Sequence, residues 1–226
     1  MHALDNPIWT ALTTKQVQLA HGSALARRFP PEMTLLGALA ANTAMAFDSL
    51  AQLIQRDPVT LYFSALPALP AGWSVLRAVE LHQMIKDAGV AAGVEPPSHE
   101  VVELTPADVA EMSELYAATR PGRTLCPRIQ KLGIFLGVRQ EGRLAAMGGL
   151  RLHIAGYREI TTVATLPGWE GRGYATAIVL ALVARIEGRG ERPFLTVRTN
   201  NERALNIYRR LGFRERARFY SQTIRR

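Results

Sequence analysis

Residues 162–176 read T-V-A-T-L-P-G-W-E-G-R-G-Y-A-T, an apolar, β-branched run that passes through a glycine-rich turn straight into a helical pattern. No other feature constrains the fold as tightly. A strand that delivers its chain into a helix within a few residues needs both elements in one layered domain, the helix packed back on the sheet. Gly171 and Gly173 permit backbone conformations and close approaches that a Cβ forbids. The helix expected over 171–187, closed by Gly188 and Gly190, leaves the N–H groups of its first turn without partners while its dipole adds partial positive charge. Together these make an anion site suited to a pyrophosphate. The segment is not a P-loop, because no Gly-Lys-Ser/Thr ends it, nor a full dinucleotide fingerprint. Taken alone, it is also compatible with an ordinary strand–turn–helix joint.

A second pattern follows 25 residues on. Residues 201–213, N-E-R-A-L-N-I-Y-R-R-L-G-F, open a short helix over 202–210 after a strand expected over 194–199. Asn201 suits an N-cap and Gly212 a C-terminal stop. Ala204, Ile207 and Leu211 form an apolar stripe, and Tyr208 lies beside it, where a boundary aromatic is the common alternative to a functional one. Upstream, 101–104 reads as a strand, and Thr105 caps a helix that begins at Pro106. Strand-like runs cover 132–139, 143–152 and 160–165, and 213–223 alternates as a final strand. The order β-α-β-β-β-α-β-α-β over 99–226 predicts a mixed α+β domain.

Residues 1–98 carry no chemical motif. Helices are expected over 13–28, 34–56 and 81–88, strands over 59–63 and 73–79, and a linker over 93–98, G-V-E-P-P-S. The division predicted is a helix-rich N-terminal domain, 1–98, and a catalytic domain, 99–226.

Composition narrows the class. A chain of 226 residues with 48% apolar and 20% charged residues can bury a core without covalent staples. The single cysteine, Cys126, excludes an intrachain disulfide and a Cys-based zinc site, and the five histidines have no metal spacing. No apolar run reaches the length of a membrane span, and the N-terminus has no signal-peptide pattern, so a soluble cytoplasmic protein is expected. The formal charge of +8 is lopsided: residues 1–170 sum to −1 and residues 171–226 to +9. That asymmetry points to an anionic partner: nucleic acid, or a small polyanion such as coenzyme A. The bland alternative is arginine-rich solvated surface.

The two motifs, in this order and at this separation, resemble the GNAT superfamily of acyl-CoA-dependent N-acyltransferases. The resemblance spans 99–226 by element order and is sharp over 159–213. The family's loop, Gln/Arg-x-x-Gly-x-Gly/Ala, is matched by Glu170-Gly171-Arg172-Gly173-Tyr174-Ala175. Its helix, Asn-x-x-Ala-x-x-x-Tyr-x-x-x-Gly-Phe, is matched by Asn201, Ala204, Tyr208, Gly212 and Phe213. Glu170 departs from the pattern, since an acid beside a pyrophosphate is unhelpful. The N-terminal region is similar to the opening domain of relatives that carry a degenerate second copy of the fold.

The resemblance implies a mixed central sheet flanked by helices and acetyl-CoA as donor, with no metal. The pantetheine arm would lie along Val163, Ala164 and Thr165, with the Val163 N–H as oxyanion donor. The pyrophosphate would meet the amides of Gly171, Arg172, Gly173, Tyr174, Ala175 and Thr176, and Asn201 would meet the pantetheine or a water. Tyr208 would protonate the departing thiolate. In the histone acetyltransferase branch a general-base glutamate stands eleven positions before the loop motif, which makes Glu159 the expected base. The basic loop 120–131 is where acceptor contacts are expected. The function implied is transfer of a short acyl group to an amine by direct attack in a ternary complex. Rivals are a non-catalytic acyl-CoA sensor and, ranked last, nucleic-acid binding. A homodimer is a common assembly for soluble proteins.

Overall fold

The computed structural model describes residues 2–55, 57–87, 89 and 97–226. The chain runs α1 (Pro7–Thr13), β1 (His21–Gly22), β2 (Ala26–Arg28), β3 (Gly37–Leu39), α2 (Ala44–Ile54), β4 (Val59–Phe63), β5 (Ser74–Lys86), β6 (Val102–Leu104), α3 (Val109–Thr119), β7 (Phe135–Gln140), β8 (Arg143–Ile154), β9 (Tyr157–Thr165), α4 (Tyr174–Glu187), β10 (Arg192–Arg198), α5 (Glu202–Arg210) and β11 (Phe213–Arg225). From β6 onward this is the expected order, α+β with a mixed central sheet. The helix expected from Pro106 begins as a 3-10 turn, Pro106–Asp108, held by a capping box in which Thr105 and Asp108 bond reciprocally.

Eight strands form one sheet in the order β4-β11-β5-β10-β9-β8-β7-β6. All neighbours are antiparallel except β9 and β10. Alternation along each strand sends successive residues to opposite faces. Ile85, Phe135 and Phe194 pack with α1 and α3 on one face. Met84, Leu136 and Leu195 pack with α4 and α5 on the other. A third cluster sets Phe47, Leu50 and Ile54 of α2 against Val59, Leu61 and Phe63 of β4. No helix among the described residues is long and apolar enough to cross a membrane.

The N-terminal region differs from expectation. The predicted helix 13–28 is instead α1, placed earlier by the Asn6 cap and Pro7, followed by two short strands. Helix 34–56 shrinks to α2, which starts only after the Thr43 cap. Segment 81–88, read as a helix, is the end of β5, with Ala88 outside the described residues. The reason is burial: residues 81–86 are all buried, because both faces and both edges of β5 are covered. Period-2 alternation, the only sequence signal of a strand, is lost there.

The region described before residue 98 therefore holds five strands, two α-helices and a 3-10 turn, Val17–Leu19, rather than a helix-rich fold. The division expected at 98 does not divide the sheet. β5 pairs with β10 from Ile85↔Phe194 to Leu81↔Arg198 and with β11 from Lys86↔Phe213 to Ser74↔Arg225. Of the expected linker, residues 93–96 lie outside the described residues.

Candidate active site

The parallel pairing of β9 with β10 stops early. It runs from Tyr157↔Arg192 to Ile160↔Leu195 and no further. Beyond it, β9 pairs only with β8 and β10 only with β5, so the sheet splays open between residues 161–165 and 196–198. The cause is a bulge. Gly149 pairs with Thr161 and Met147 with Ala164, leaving Thr162 and Val163 opposite Gly148 alone. Thr162 takes φ +56°, a conformation a β-branched residue adopts only under constraint, at a cost of about 1–3 kcal/mol. A bulge bends its strand and leaves the extra residue outside the ladder. The freed Val163 carbonyl accepts a hydrogen bond from Arg120 Nη2 at 3.2 Å. The splay opens into a cleft of roughly 1850 Å³, lined by Val163, Ala164 and Thr165 on one wall and by Thr196, Val197 and Arg198 on the other.

The glycine loop forms one end of this cleft. Gly168, Gly171 and Gly173 have φ of +83°, +82° and +85°, and Gly173 is the N-cap of α4. No side chain caps that helix, so its first-turn amides are free, and no atom lies within 4 Å of where a Cβ on Gly171 would stand. Arg172, Tyr174, Ala175 and Thr176 all line the cleft here. An uncapped N-terminus of a 14-residue helix beside an open cradle is built for an anion. Glu170 turns back on its own loop: its carboxylate accepts the Gly168 amide at 2.7 Å. Bonds from its own N–H and that of Gly168 hold it below the usual carboxylate range. The departure from the family pattern thus shapes the turn. Arg172 stacks over Trp169 with 5.1 Å to the ring centroid. The loop is buttressed by His99, whose Nε2 bonds the Arg172 carbonyl at 2.7 Å and whose ring meets Tyr174 edge-on. His99 carries no sequence signal for this role, since the contact spans 73 residues.

Tyr208 reaches the same cleft from α5. It is 8% exposed, set edge-on to Phe213 at 5.9 Å, and burial pushes its phenol up to about 12 against the opposing pull of Arg120. It remains a protonated donor at neutral pH. Asn201 lines the cleft too, its Oδ1 occupied in accepting the Ala204 amide at 3.2 Å, which leaves Nδ2 as its unused donor.

Glu159, the expected base, is not brought to this site. It is fully buried, does not line the cleft, and is clamped by Arg151 through bonds of 2.9 Å and 2.8 Å. A guanidinium that holds a carboxylate bidentately fixes it in place and favours its charged form. Arg151 itself does line the cleft and bonds the Tyr62 hydroxyl at 3.2 Å. Burial alone would lower its pKa, but Glu159 and Tyr62 together raise it. Glu159 is therefore the anchor of a cleft arginine. Among the described lining residues the only carboxylate is Glu170.

The rest of the cleft is built where the basic loop was expected to act, from residues 120–127, together with Thr34, Tyr62 and Arg77 of the N-terminal region. Cys126 lines it as well, its thiol pushed up by burial. Among the described residues, no cluster of His, Cys, Asp and Glu gathers as a metal site would require.

Comparison with known proteins agrees with this geometry. The profile of the FR47-like protein family matches residues 132–222. A crystal structure of a GNAT-family protein from Novosphingobium aromaticivorans is 34% identical over 100% of this chain and 99% of that one, with a TM-score of 0.89. A GCN5-related N-acetyltransferase from Kribbella flavida is 14% identical over 98% of this chain and 96% of that one, with a TM-score of 0.64. One from Sphaerobacter thermophilus is 16% identical over 88% and 76%, with a TM-score of 0.53. At these two identities the likeness is one of fold. No curated protein matches. The end-to-end likeness to the Novosphingobium protein covers the N-terminal strands as well as the loop and the splay, and on that ground the chain belongs to the GNAT family.

Proposed function

We propose that this protein is an N-acetyltransferase that moves an acetyl, or another short acyl, group from coenzyme A to an amine by direct attack in a ternary complex. The observation that carries this reading is the meeting of three features in one cleft: the splay at the Thr162 bulge, the uncapped N-terminus of α4, and a protonated Tyr208. An acyl-CoA thioester would supply the activated carbonyl and the leaving thiolate. The free amides of 171–176 suit its pyrophosphate, and the backbone of Val163, Ala164 and Thr165 suits the pantetheine arm. The Val163 N–H, outside the regular ladder, is the candidate oxyanion donor. Tyr208 gives its proton to the departing sulfur, and the proton shed by the nitrogen as the amide forms reloads the phenolate. A phenol near 12 stays loaded at pH 7, and a free thiol of pKa about 8.5 keeps the proton it receives at that pH. With Glu159 clamped, the amine would lose its proton to solvent in the open cleft rather than to a buried carboxylate. Thr34, Tyr62 and Arg77, which line the cleft, would complete the acceptor half of the site.

The test is a calorimetric titration with acetyl-CoA, followed by a thiol-release screen of amines. One site per chain is expected, weakened at least tenfold by Gly173→Val, because that position combines φ +85° with Pro97 at 3.2 Å from a new Cβ. Binding of acetyl-CoA without thiol release to any amine would favour the sensor instead. If neither acetyl-CoA nor CoA binds, the reading fails.

A further inference from the structure

Eight arginines line the cleft against the single carboxylate of Glu170. Arg210 stands alone at the end of α5, and the other seven fall into separate groups. Arg172 and Arg203 lie by the glycine loop, Arg203 close enough to act on Glu170. Phosphates of CoA account for cations there. Arg151 is neutralised by Glu159. A third group does not belong to the loop: Arg77, Arg120, Arg123 and Arg198 lie near enough to repel one another, beside the C-terminal end of α3 that carries Tyr116. Arg120 stacks on the Tyr116 ring at 4.8 Å and Arg123 at 5.8 Å. Arg77 stands on the stretch of β5 that runs past the end of β10, opposite Thr223 of β11.

Among the described residues no carboxylate lies within ion-pair distance of any of these four. Burial, and then repulsion from Arg123 and Arg198, lowers the pKa of Arg77, while burial lowers that of Arg120, with Arg123 and Arg198 adding to it. Stacking on Tyr116 and the negative end of the α3 dipole hold such a group together without supplying an anion. Like charges gathered at a partly buried site cost free energy that a bound anion recovers.

The position of the group says which ligand it serves. Arg120 also bonds the Val163 carbonyl, the residue beside which the reacting thioester is proposed to sit. The wall beyond it is made of alternate residues on one face of three adjacent strands: Arg77 and Val79 of β5, Ser221 and Thr223 of β11, Tyr62 of β4. This is the far side of the reacting centre from α4.

We infer that the acceptor is a small amine that also carries an oxyanion, a carboxylate or a phosphonate-like group, and that Arg77, Arg120 and Arg123 bind that anion. The inference rests on the acetyltransferase reading above. It places the amine within a few bonds of the anion, because cluster and thioester site share Arg120. It excludes polycationic acceptors, which the cluster repels.

The probe set is a series of N-acetylated amino acids and N-acetylated aminoalkylphosphonates, each with its neutral N-acetyl amide. These are titrated into the full-length protein saturated with CoA. At least one anionic member should bind ten times or more tighter than its neutral partner, and the two anion types report which oxyanion fits. Double replacement Arg77→Gln and Arg123→Gln should remove that preference, about 10- to 100-fold for two charge-assisted contacts, while acetyl-CoA affinity stays within about twofold. If CoA binds but no pair discriminates, or the double variant keeps the preference, the acceptor assignment is wrong and the acetyltransferase reading stands. Failure to bind CoA at all overturns both.

Discussion

Replacing Glu159 by Gln separates the two roles open to this residue. In the structure Glu159 has no exposure and gives both carboxylate oxygens to Arg151, with Thr196 Oγ1 at 3.5 Å from one of them. Glutamine keeps the shape and removes the charge, so the Arg151 guanidinium is left uncompensated in a buried setting. Breaking one side of a buried pair costs about 3–5 kcal/mol. With an unfolding entropy of roughly 2.1 cal/mol/K per residue, a chain of this length loses about 2 °C per kcal/mol, and the melting temperature should fall by roughly 6–10 °C. The remaining acceptor on Gln and the Tyr62 hydroxyl place the result toward the lower end. Turnover, measured well below the transition, should fall less than tenfold with an unchanged pH profile, because no proton passes through this carboxylate. A second variant, Glu159→Gln with Arg151→Met, should recover part of the lost stability, since removing both charges removes the unpaired one. Thermal unfolding and steady-state thiol release read the two effects independently. A melting temperature that stays put while the rate falls a hundredfold, with the acid limb of the profile lost, would refute the structural role and restore Glu159 as the base.

Tyr208→Phe should lower kcat by about 10²–10⁴-fold and leave acetyl-CoA affinity within about twofold, as stopped-time thiol release and calorimetry would register. Burial raises the Tyr208 phenol to about 12, so its acid form persists as pH rises and no alkaline fall of kcat from this group should occur below about pH 11; an inflection at 9–10 that vanishes in the Phe variant would contradict the burial argument. The same raised pKa means stability contributed by this group is full below about 10 and drains away between about 10 and 12. Thr162→Gly relieves a left-handed threonine at the cost of glycine's extra chain entropy, so stability should be unchanged or up to about 1 kcal/mol higher by denaturant melts; a loss above about 2 kcal/mol would mean the threonine side chain itself holds the bulge. Gly148→Ala puts a methyl 2.9 Å from Ile178 Cγ2 and 3.3 Å from Val163 Cγ2, between α4 and the bulge. It should cost about 1–3 kcal/mol and weaken acetyl-CoA binding, whereas a silent substitution would show that α4 can lift away freely.

The C-terminal elements were legible because local chemistry and tertiary position agree there. Gly171 and Gly173 sit at φ values near +80°, Gly212 closes α5 at +86°, and Asn201 caps it, so each punctuation mark in the sequence is a real joint. Tyr208 was legible through its place in a motif. What failed was whatever depends on neighbours distant in the chain. β5 hides its period because it is central, and β1 to β3 are too short to show one. The Arg151–Glu159 pair joins adjacent strands across a register shift, which makes a spacing of eight residues meaningless as a signal. The bulge had left a trace: Gly148-Gly149 inside a strand-like run marks a site where backbones approach closely, and a Cβ on Gly149 would strike the Phe135 ring at 2.6 Å.

The charge asymmetry of the sequence resolves along the same lines. Inserting β5 between β10 and β11 lays carboxylates of the N-terminal region against the arginine-rich end. Asp87 holds Arg192 and Arg214, Asp5 holds Arg216, and Glu80 lies near Arg218. These pairs are largely exposed and individually contribute little, and their three carboxylates offset three of the nine surplus charges of residues 171–226. Of the arginines left without an ion-pair partner among the described residues, Arg77, Arg120, Arg123, Arg172, Arg198, Arg203 and Arg210 line one cleft, some at its loop and some near Tyr116. A surface cation costs almost nothing to leave unpaired, whereas two guanidiniums stacked on one ring with two more close enough to repel them, Arg77 and Arg120 half-buried, are held at a free-energy cost. Such an arrangement persists in a folded chain when the occupant that relieves it is part of the function, and the chemistry of that occupant is an anion small enough to enter beside Val163.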